Sequence, residues 1–242
     1  MLQFAKRVIL IYTEAMPDTD PFLTLRDRLF TGKSAPYIMG ILNVTPDSFY
    51  AGSRVRAPGT TGETSARMEE EGADLLDLGG ESSRPGSEYV SLREELDRVI
   101  PAIEAVRRNS RIPLSVDTRK ARVAEAALDA GADMINDISA LRDDPELSLL
   151  CADRGVPVVL MHMRDTPKTM QVDPRYRDVI SEIMRELEDR IEAAVGAGIR
   201  EDRIILDPGI GFGKRYEDNL TILKHLGRFR EMGFPLLVGL SR

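Results

Sequence analysis

Gly72-Ala73-Asp74-Leu75-Leu76-Asp77 is echoed later in the chain by Gly131-Ala132-Asp133-Met134-Ile135-Asn136. Each stretch reads as a helix end turning into a short strand that stops on a polar residue. The same ending recurs seven times. Ile38–Leu42 stops at Asn43, Leu75–Leu76 at Asp77, Ile112–Val116 at Asp117 and Met134–Ile135 at Asn136. Val156–Met161 stops at His162, Ile204–Leu206 at Asp207 and Leu236–Leu240 at Ser241. Short runs that are apolar throughout are parallel strands buried on both faces. Charged stretches with helical spacing separate most of them, so the expected architecture is α/β, a TIM-type (β/α)8 barrel. In such a barrel the residues past the strands' carboxyl ends share one rim, where catalysis sits. Three Asp, two Asn, one His and one Ser therefore converge on one mouth.

The chain has 242 residues, 42% hydrophobic and 30% charged. A βα barrel takes about 250 residues as one domain, so length does not call for two. The net charge of −7 weighs against a duplex nucleic-acid partner. The single cysteine, Cys151, excludes an intrachain disulfide framework and suits a reducing, cytoplasmic compartment. It sits in a helix-like run and reads as a small buried apolar residue. No apolar run approaches the ~20 residues of a membrane span, and Val8–Tyr12 is too short for a signal-peptide core.

Residues 1–36 form a lead-in. Val8–Tyr12 reads as a short strand plugging or flanking the barrel bottom, and Pro17–Pro36 as a polar loop with an amphipathic piece at Leu23–Phe30. Residues 37–242 form the barrel. Ser91-Leu92-Arg93-Glu94 reads as a capping box, with Glu94 returning a bond to the cap. A helix after Asp117-Thr118 stops at Gly131, and a longer one spanning Val179 to Val195 closes at Gly196 and Gly198. Seven strands are counted and eight close a barrel. Either an eighth, C-terminal βα unit is missing from the chain, which is the simpler reading, or an N-terminal segment supplies the strand.

A lone Asp after a strand is usually a helix cap, and Asp117 alone is consistent with that. Three from separate strands repel unless a metal, a cation or a donor-rich ligand compensates. His162 is the only strand-end histidine, which argues against a His-rich zinc site and leaves open a Mg²⁺ held mainly by substrate phosphate. Three loops border the mouth. Asn43-Val44-Thr45-Pro46-Asp47-Ser48-Phe49 is polar with one aromatic, as a lid would be. Gly79-Gly80-Glu81-Ser82-Ser83-Arg84-Pro85-Gly86 offers a hydroxyl and a guanidinium to an anion. Asp207-Pro208-Gly209-Ile210-Gly211-Phe212-Gly213-Lys214 is glycine-rich but fits neither nucleotide fingerprint. Its glycines would let backbone and Phe212 approach a flat ligand.

Together these segments resemble the signatures of the dihydropteroate synthase family. Met39 to Phe49 is similar to the first and Asp77 to Gly86 to the second. Ser115-Val116-Asp117-Thr118, Ile135-Asn136-Asp137, Leu160-Met161-His162-Met163, Asp207 to Lys214 and Gly239-Leu240-Ser241-Arg242 follow in family order. The resemblance implies a transferase of folate biosynthesis. It would join 6-hydroxymethyl-7,8-dihydropterin diphosphate to 4-aminobenzoate, releasing pyrophosphate. It implies catalytic roles for Asp77, Asp117, Asp207 and Arg84, and a pterin site of Asp117, Asn136, Asp207, Met161 and Arg242. Asn43, Ser83 and Arg84 would face the diphosphate, with Asn43 on its Mg²⁺. Phe49, Pro85, Phe212 and Ser241 would shape the aminobenzoate pocket. The family is usually a homodimer. Three departures stand out: Tyr50-Ala51-Gly52 replaces the usual Ser-Asp-Gly, Ser83 replaces the commoner Thr, and the sequence stops at Arg242, where the family pattern continues with Lys, an eighth strand and Arg-x-His. A methyltetrahydrofolate:corrinoid methyltransferase-type barrel and a non-catalytic pterin binder are the alternatives.

Overall fold

The computed structural model describes residues 7–12, 21–31, 36–44, 58–84 and 86–241. Strand β1 (Arg7–Tyr12) is followed by a hairpin, β2 (Pro21–Leu25) and β3 (Arg28–Thr31). The βα alternation then runs β4 (Tyr37–Asn43), α1 (Pro58–Glu70), β5 (Leu75–Gly79), α2 (Leu92–Asn109), β6 (Leu114–Asp117) and α3 (Ala121–Ala130). It continues with β7 (Met134–Asp137), α4 (Pro145–Arg154), β8 (Val158–Met161), α5 (Val179–Gly196), β9 (Ile204–Asp207), α6 (Tyr216–Lys224), α7 (Leu226–Arg230) and β10 (Leu236–Ser241). Strands β4 to β10 are parallel neighbours in chain order.

Of the two ways to complete the barrel, the structure takes the N-terminal one. β1 lies antiparallel between β10 and β4, with Arg7 opposite Ser241 and Val8 opposite Gly40, and the barrel closes. The segment expected to plug or flank the bottom is thus a stave. The plug is the β2–β3 hairpin, where a short amphipathic piece was expected. Phe22, Leu23, Leu25 and Phe30 pack with Tyr37 against the lowest inward layer of Met39, Leu75, Met134, Val159, Ile205 and Leu237. Deleting residues 1–12 is expected to expose the edges of β4 and β10. Several ladder bonds at about 0.5–1.5 kcal/mol each put the loss on the order of 3–6 kcal/mol. Urea unfolding and size exclusion check this, and an equally stable monomer would count against β1 as a stave.

The repeated Gly-Ala-Asp stretch has a physical cause. Gly72 (φ 100°) and Gly131 (φ 113°) end α1 and α3 in the left-handed region that glycine adopts freely. Asp74 and Asp133 then accept the backbone N–H of Ile38 (2.7 Å) and Leu114 (2.8 Å) on the neighbouring strand. The carboxylate fixes where each adjacent strand begins, and so its register.

Register sets the site. Side chains two apart on a strand share a face. Met39 and Ile41, Leu75 and Asp77, Ser115 and Asp117, Met134 and Asn136, Val159 and Met161, and Ile205 and Asp207 form such pairs. The upper members line the mouth. The intervening Leu76, Leu78, Leu114, Val116, Ile135, Leu160 and Leu206 pack outward in the helical layer. Ser91 caps α2 as expected, accepting Glu94 N–H at 3.3 Å, but Glu94 pairs with Arg98 one turn on. Cys151 is buried, and burial pushes its thiol up to about 12.

Candidate active site

Asp117 does not cap α3. That helix starts at Ala121, whose N–H goes to Asp144 (2.8 Å). Asp117 is left free to face the lumen, opposite Asn136 on β7 and Gly79 on β5. A cavity of about 410 Å³ opens there. Nine residues singled out from the sequence line it: Asn43, Asp77, Ser83, Arg84, Asp117, Asn136, Met161, Asp207 and Phe212. Ile41, from the first strand run, and Ile138, Met170 and Asn219, which carried no sequence signal, complete much of the wall. Phe49, Pro85 and Arg242 lie outside the described residues. Ser241 ends β10, and only its backbone is described.

Asp77 and Asp207 are buried and Asp117 is half-buried. Asp77 accepts Asn136 Nδ2–H at 3.2 Å through one oxygen, and its other oxygen is buried without a hydrogen-bond partner. Burial raises its carboxyl, with Ser115 and Asn136 opposing. Asp117 is held well above the usual carboxylate range, first by burial and then by the charges of Asp77, Glu95, Asp137 and Glu81. Burial pushes Asp207 up to about 7, against a 2.7 Å bond from Gly209 N–H and the charge of Lys214. Without a ligand this rim resists full ionisation. A ligand that brings N–H donors or positive charge relieves that cost.

Two buried networks hold the rim. Behind Asp117, Lys120 bridges Glu81 and Glu95, Arg119 pairs with Glu81, and Thr118 donates to Glu95 at 2.7 Å. This ties the Ser83–Arg84 loop to the start of α3. Behind Asp207 lie Lys214, His162 and Glu186. His162 does not line the cavity, although it follows a strand end. Its ring bonds Lys214 and Glu186 instead. Neither network was legible, because both need partners far apart in sequence.

Residues 39–242 match the family described as pterin binding enzyme. The dihydropteroate synthase of Synechocystis sp. is 46% identical over 92% of this chain and 77% of its own length. This chain belongs to the dihydropteroate synthase family. The Escherichia coli member is 44% identical over 86% of this chain and 74% of its own. Among solved structures, the Yersinia pestis dihydropteroate synthase with a sulfonamide drug complex superposes with a TM-score of 0.85 at 45% identity, covering 89% of this chain and 78% of that one. The Xanthomonas albilineans enzyme with 4-aminobenzoic acid gives 0.79 at 48% identity, covering 90% and 77%. No helix among the described residues is long and apolar enough to cross a membrane.

Proposed function

We propose that this chain condenses 6-hydroxymethyl-7,8-dihydropterin diphosphate with 4-aminobenzoate to give 7,8-dihydropteroate and pyrophosphate. Family membership carries the reaction. The observation that carries the site is the convergence of Asp77, Asp117, Asn136 and Asp207 on one cavity of about 410 Å³, room for a flat heterocycle.

In this reading Asp117, Asn136 and Asp207 bind the amino-pyrimidine edge, with Met161 against the ring and Arg242 alongside it. Asp207 Oδ1 is engaged by Gly209 N–H, which turns Oδ2 to the ligand. The C–O bond from the exocyclic CH₂ to diphosphate breaks, and the amine nitrogen of 4-aminobenzoate forms the new C–N bond and gives up its proton. The buried carboxylates favour the positive character that develops at the CH₂. Ser83 and Arg84 neutralise the departing anion. Phe212, with Phe49, Pro85 and Ser241, holds the aminobenzoate ring. No covalent enzyme intermediate is required.

The donor chemistry fits Mg²⁺. Asn43 brings an uncharged oxygen to the mouth, and no trio of His, Cys, Asp or Glu among the described residues is disposed to hold an ion alone. An ion held by diphosphate together with Asn43 would neutralise charge on the leaving group. The partners are small molecules, and the lone buried Cys151 supports a cytoplasmic setting.

Pyrophosphate release by residues 1–242 with Mg²⁺ is expected to require both substrates and to be abolished by omitting either. Methyl transfer to a corrinoid, or no release together with pterin binding, would overturn the reading in favour of a methyltransferase-type or non-catalytic barrel.

A further inference from the structure

Lys214 is the residue of the glycine-rich loop that the reaction does not use. It is 3% exposed. Its ammonium has three donors and three acceptors: His162 Nδ1 at 3.0 Å, the His162 carbonyl at 3.2 Å and the Phe212 carbonyl at 2.9 Å. An ammonium only donates, so Nδ1 must carry a lone pair and the ring proton sits on Nε2. That nitrogen lies 3.0 Å from Glu186. Glu186 in turn receives Arg164. The chain of bonds is consistent in direction from Lys214 to α5.

We propose that Lys214 is a positioning residue, whose caged ammonium pins the 208–213 loop to the end of β8 and supplies the buried positive charge that keeps Asp207 an anionic acceptor. The proposal rests on the reading of Asp207 as a ligand for the pterin edge. Geometry supports it on both counts. The two carbonyls in the cage belong to the end of β8 and to Phe212, which lines the cavity. A Cβ on Gly209, the residue whose N–H binds Asp207, would lie 3.2 Å from Lys214 Nζ. All three donors of Lys214 are used within the protein, so it acts through Asp207 and the loop and does not touch substrate.

The groups facing Lys214 come from every neighbouring element: Asp207 from β9, His162 and Arg164 after β8, Glu186 from α5 and Asp218 from α6. Burial pushes His162 down to about 4, so it stays neutral and adds no charge. Asp218 is bound to Arg215, and Glu186 is shared by His162 and Arg164. Among the described residues, Lys214 is the one cation acting on Asp207. Burial pushes Lys214 down to about 7, which places its titration beside that of Asp207.

The test is the carboxyl titration of Asp207 by carbon-13 NMR in the ligand-free full chain, unmodified and as Lys214→Gln, which keeps N–H donors without charge. Loss of the cation is expected to move the Asp207 midpoint up by about one pH unit. Binding of 6-hydroxymethylpterin, followed by calorimetry from pH 6 to 9, supplies the second arm. Lys214→Gln and Lys214→Met should lose about tenfold near pH 7 and approach the unmodified protein at pH 9, where Lys214 itself is neutral. Lys214→Met in an Asp207→Asn background should cost little more. An unmoved Asp207 midpoint, or the same loss at every pH, overturns the proposal and leaves Lys214 a packing residue. Should neither variant fold, the unmodified chain decides by nitrogen-15 NMR: Nζ neutral at pH 6 overturns the proposal, and Nζ charged while Asp207 ionises supports it. A shifted midpoint together with undiminished pterin binding by Asp207→Asn would retain the charge pairing and refute the ligand role of Asp207.

Discussion

Asp207→Asn is expected to weaken binding of 6-hydroxymethylpterin roughly 10- to 150-fold, the equivalent of about 1.5–3 kcal/mol for a hydrogen bond to a charged group. Turnover should fall at least as far. Asp207 is the last residue of β9 and faces the lumen. Its Oδ1 is committed to Gly209 N–H at 2.7 Å, and Oδ2 has no hydrogen-bond partner among the described residues. An asparagine of the same shape would either turn a donor toward Gly209 N–H or present one to a ligand edge that itself donates. It also removes the negative charge proposed to offset cationic character at the reacting carbon. The fold should not suffer. Burial already pushes this carboxyl up to about 7, so near neutrality the substitution removes a charge the interior holds at a cost. A carboxyl raised on folding holds more protons in the native state, so its contribution is lost as pH rises from 3.8 to about 7. Relative to the unmodified chain, Asp207→Asn should therefore gain stability as pH rises from 5 to 8. Calorimetry with the pterin and thermal melts at both pH values check the two halves.

Among single substitutions, Gly209→Ala carries the largest expected structural cost. An added Cβ would lie 2.0 Å from the His162 carbonyl oxygen and 3.0 Å from its carbon, and φ is +67°. Left-handed backbone costs an L-residue about 1–2 kcal/mol. The clash is with backbone, so no rotamer relieves it. A loss of about 3–5 kcal/mol follows, at the upper end for a single substitution. The effect should reach the site, because relief of the clash pulls Gly209 N–H from Asp207 and the His162 carbonyl from Lys214. Urea unfolding that shows a loss below about 1 kcal/mol would mean that the loop is not held as described.

The barrel was legible because burial on both faces writes parallel strands as unbroken apolar runs. The lumen-facing positions were legible for the opposite reason. Asp77 and Asn136 interrupt apolar runs where core packing alone would not place them. Asp77 shows the limit of that reading, since it sits in the middle of β5 and the strand runs on to Gly79. β1 was seen as a strand but not located. Its partners Tyr37–Gly40 and Leu236–Ser241 lie at opposite ends of the chain, and local pattern carries no record of such pairing. The hairpin at Pro21–Thr31 was blurred because each strand is only four or five residues long. Lys214 and His162 were quoted within motifs, yet nothing local shows that a lysine after a glycine-rich loop turns inward. The same holds for Lys120, whose partners Glu81 and Glu95 are 39 and 25 residues away.

Acidic side chains from separate strands are proposed to gather around one flat heterocycle. A crystal structure of this chain with 6-hydroxymethylpterin tests this most directly. The ring edge is predicted to meet Asp117, Asn136 and Asp207 within hydrogen-bond distance, above the layer of Met39, Leu75, Met134, Val159, Ile205 and Leu237. A pterin bound elsewhere, or one in the mouth with Asp117 and Asp207 turned away from it, would contradict the account.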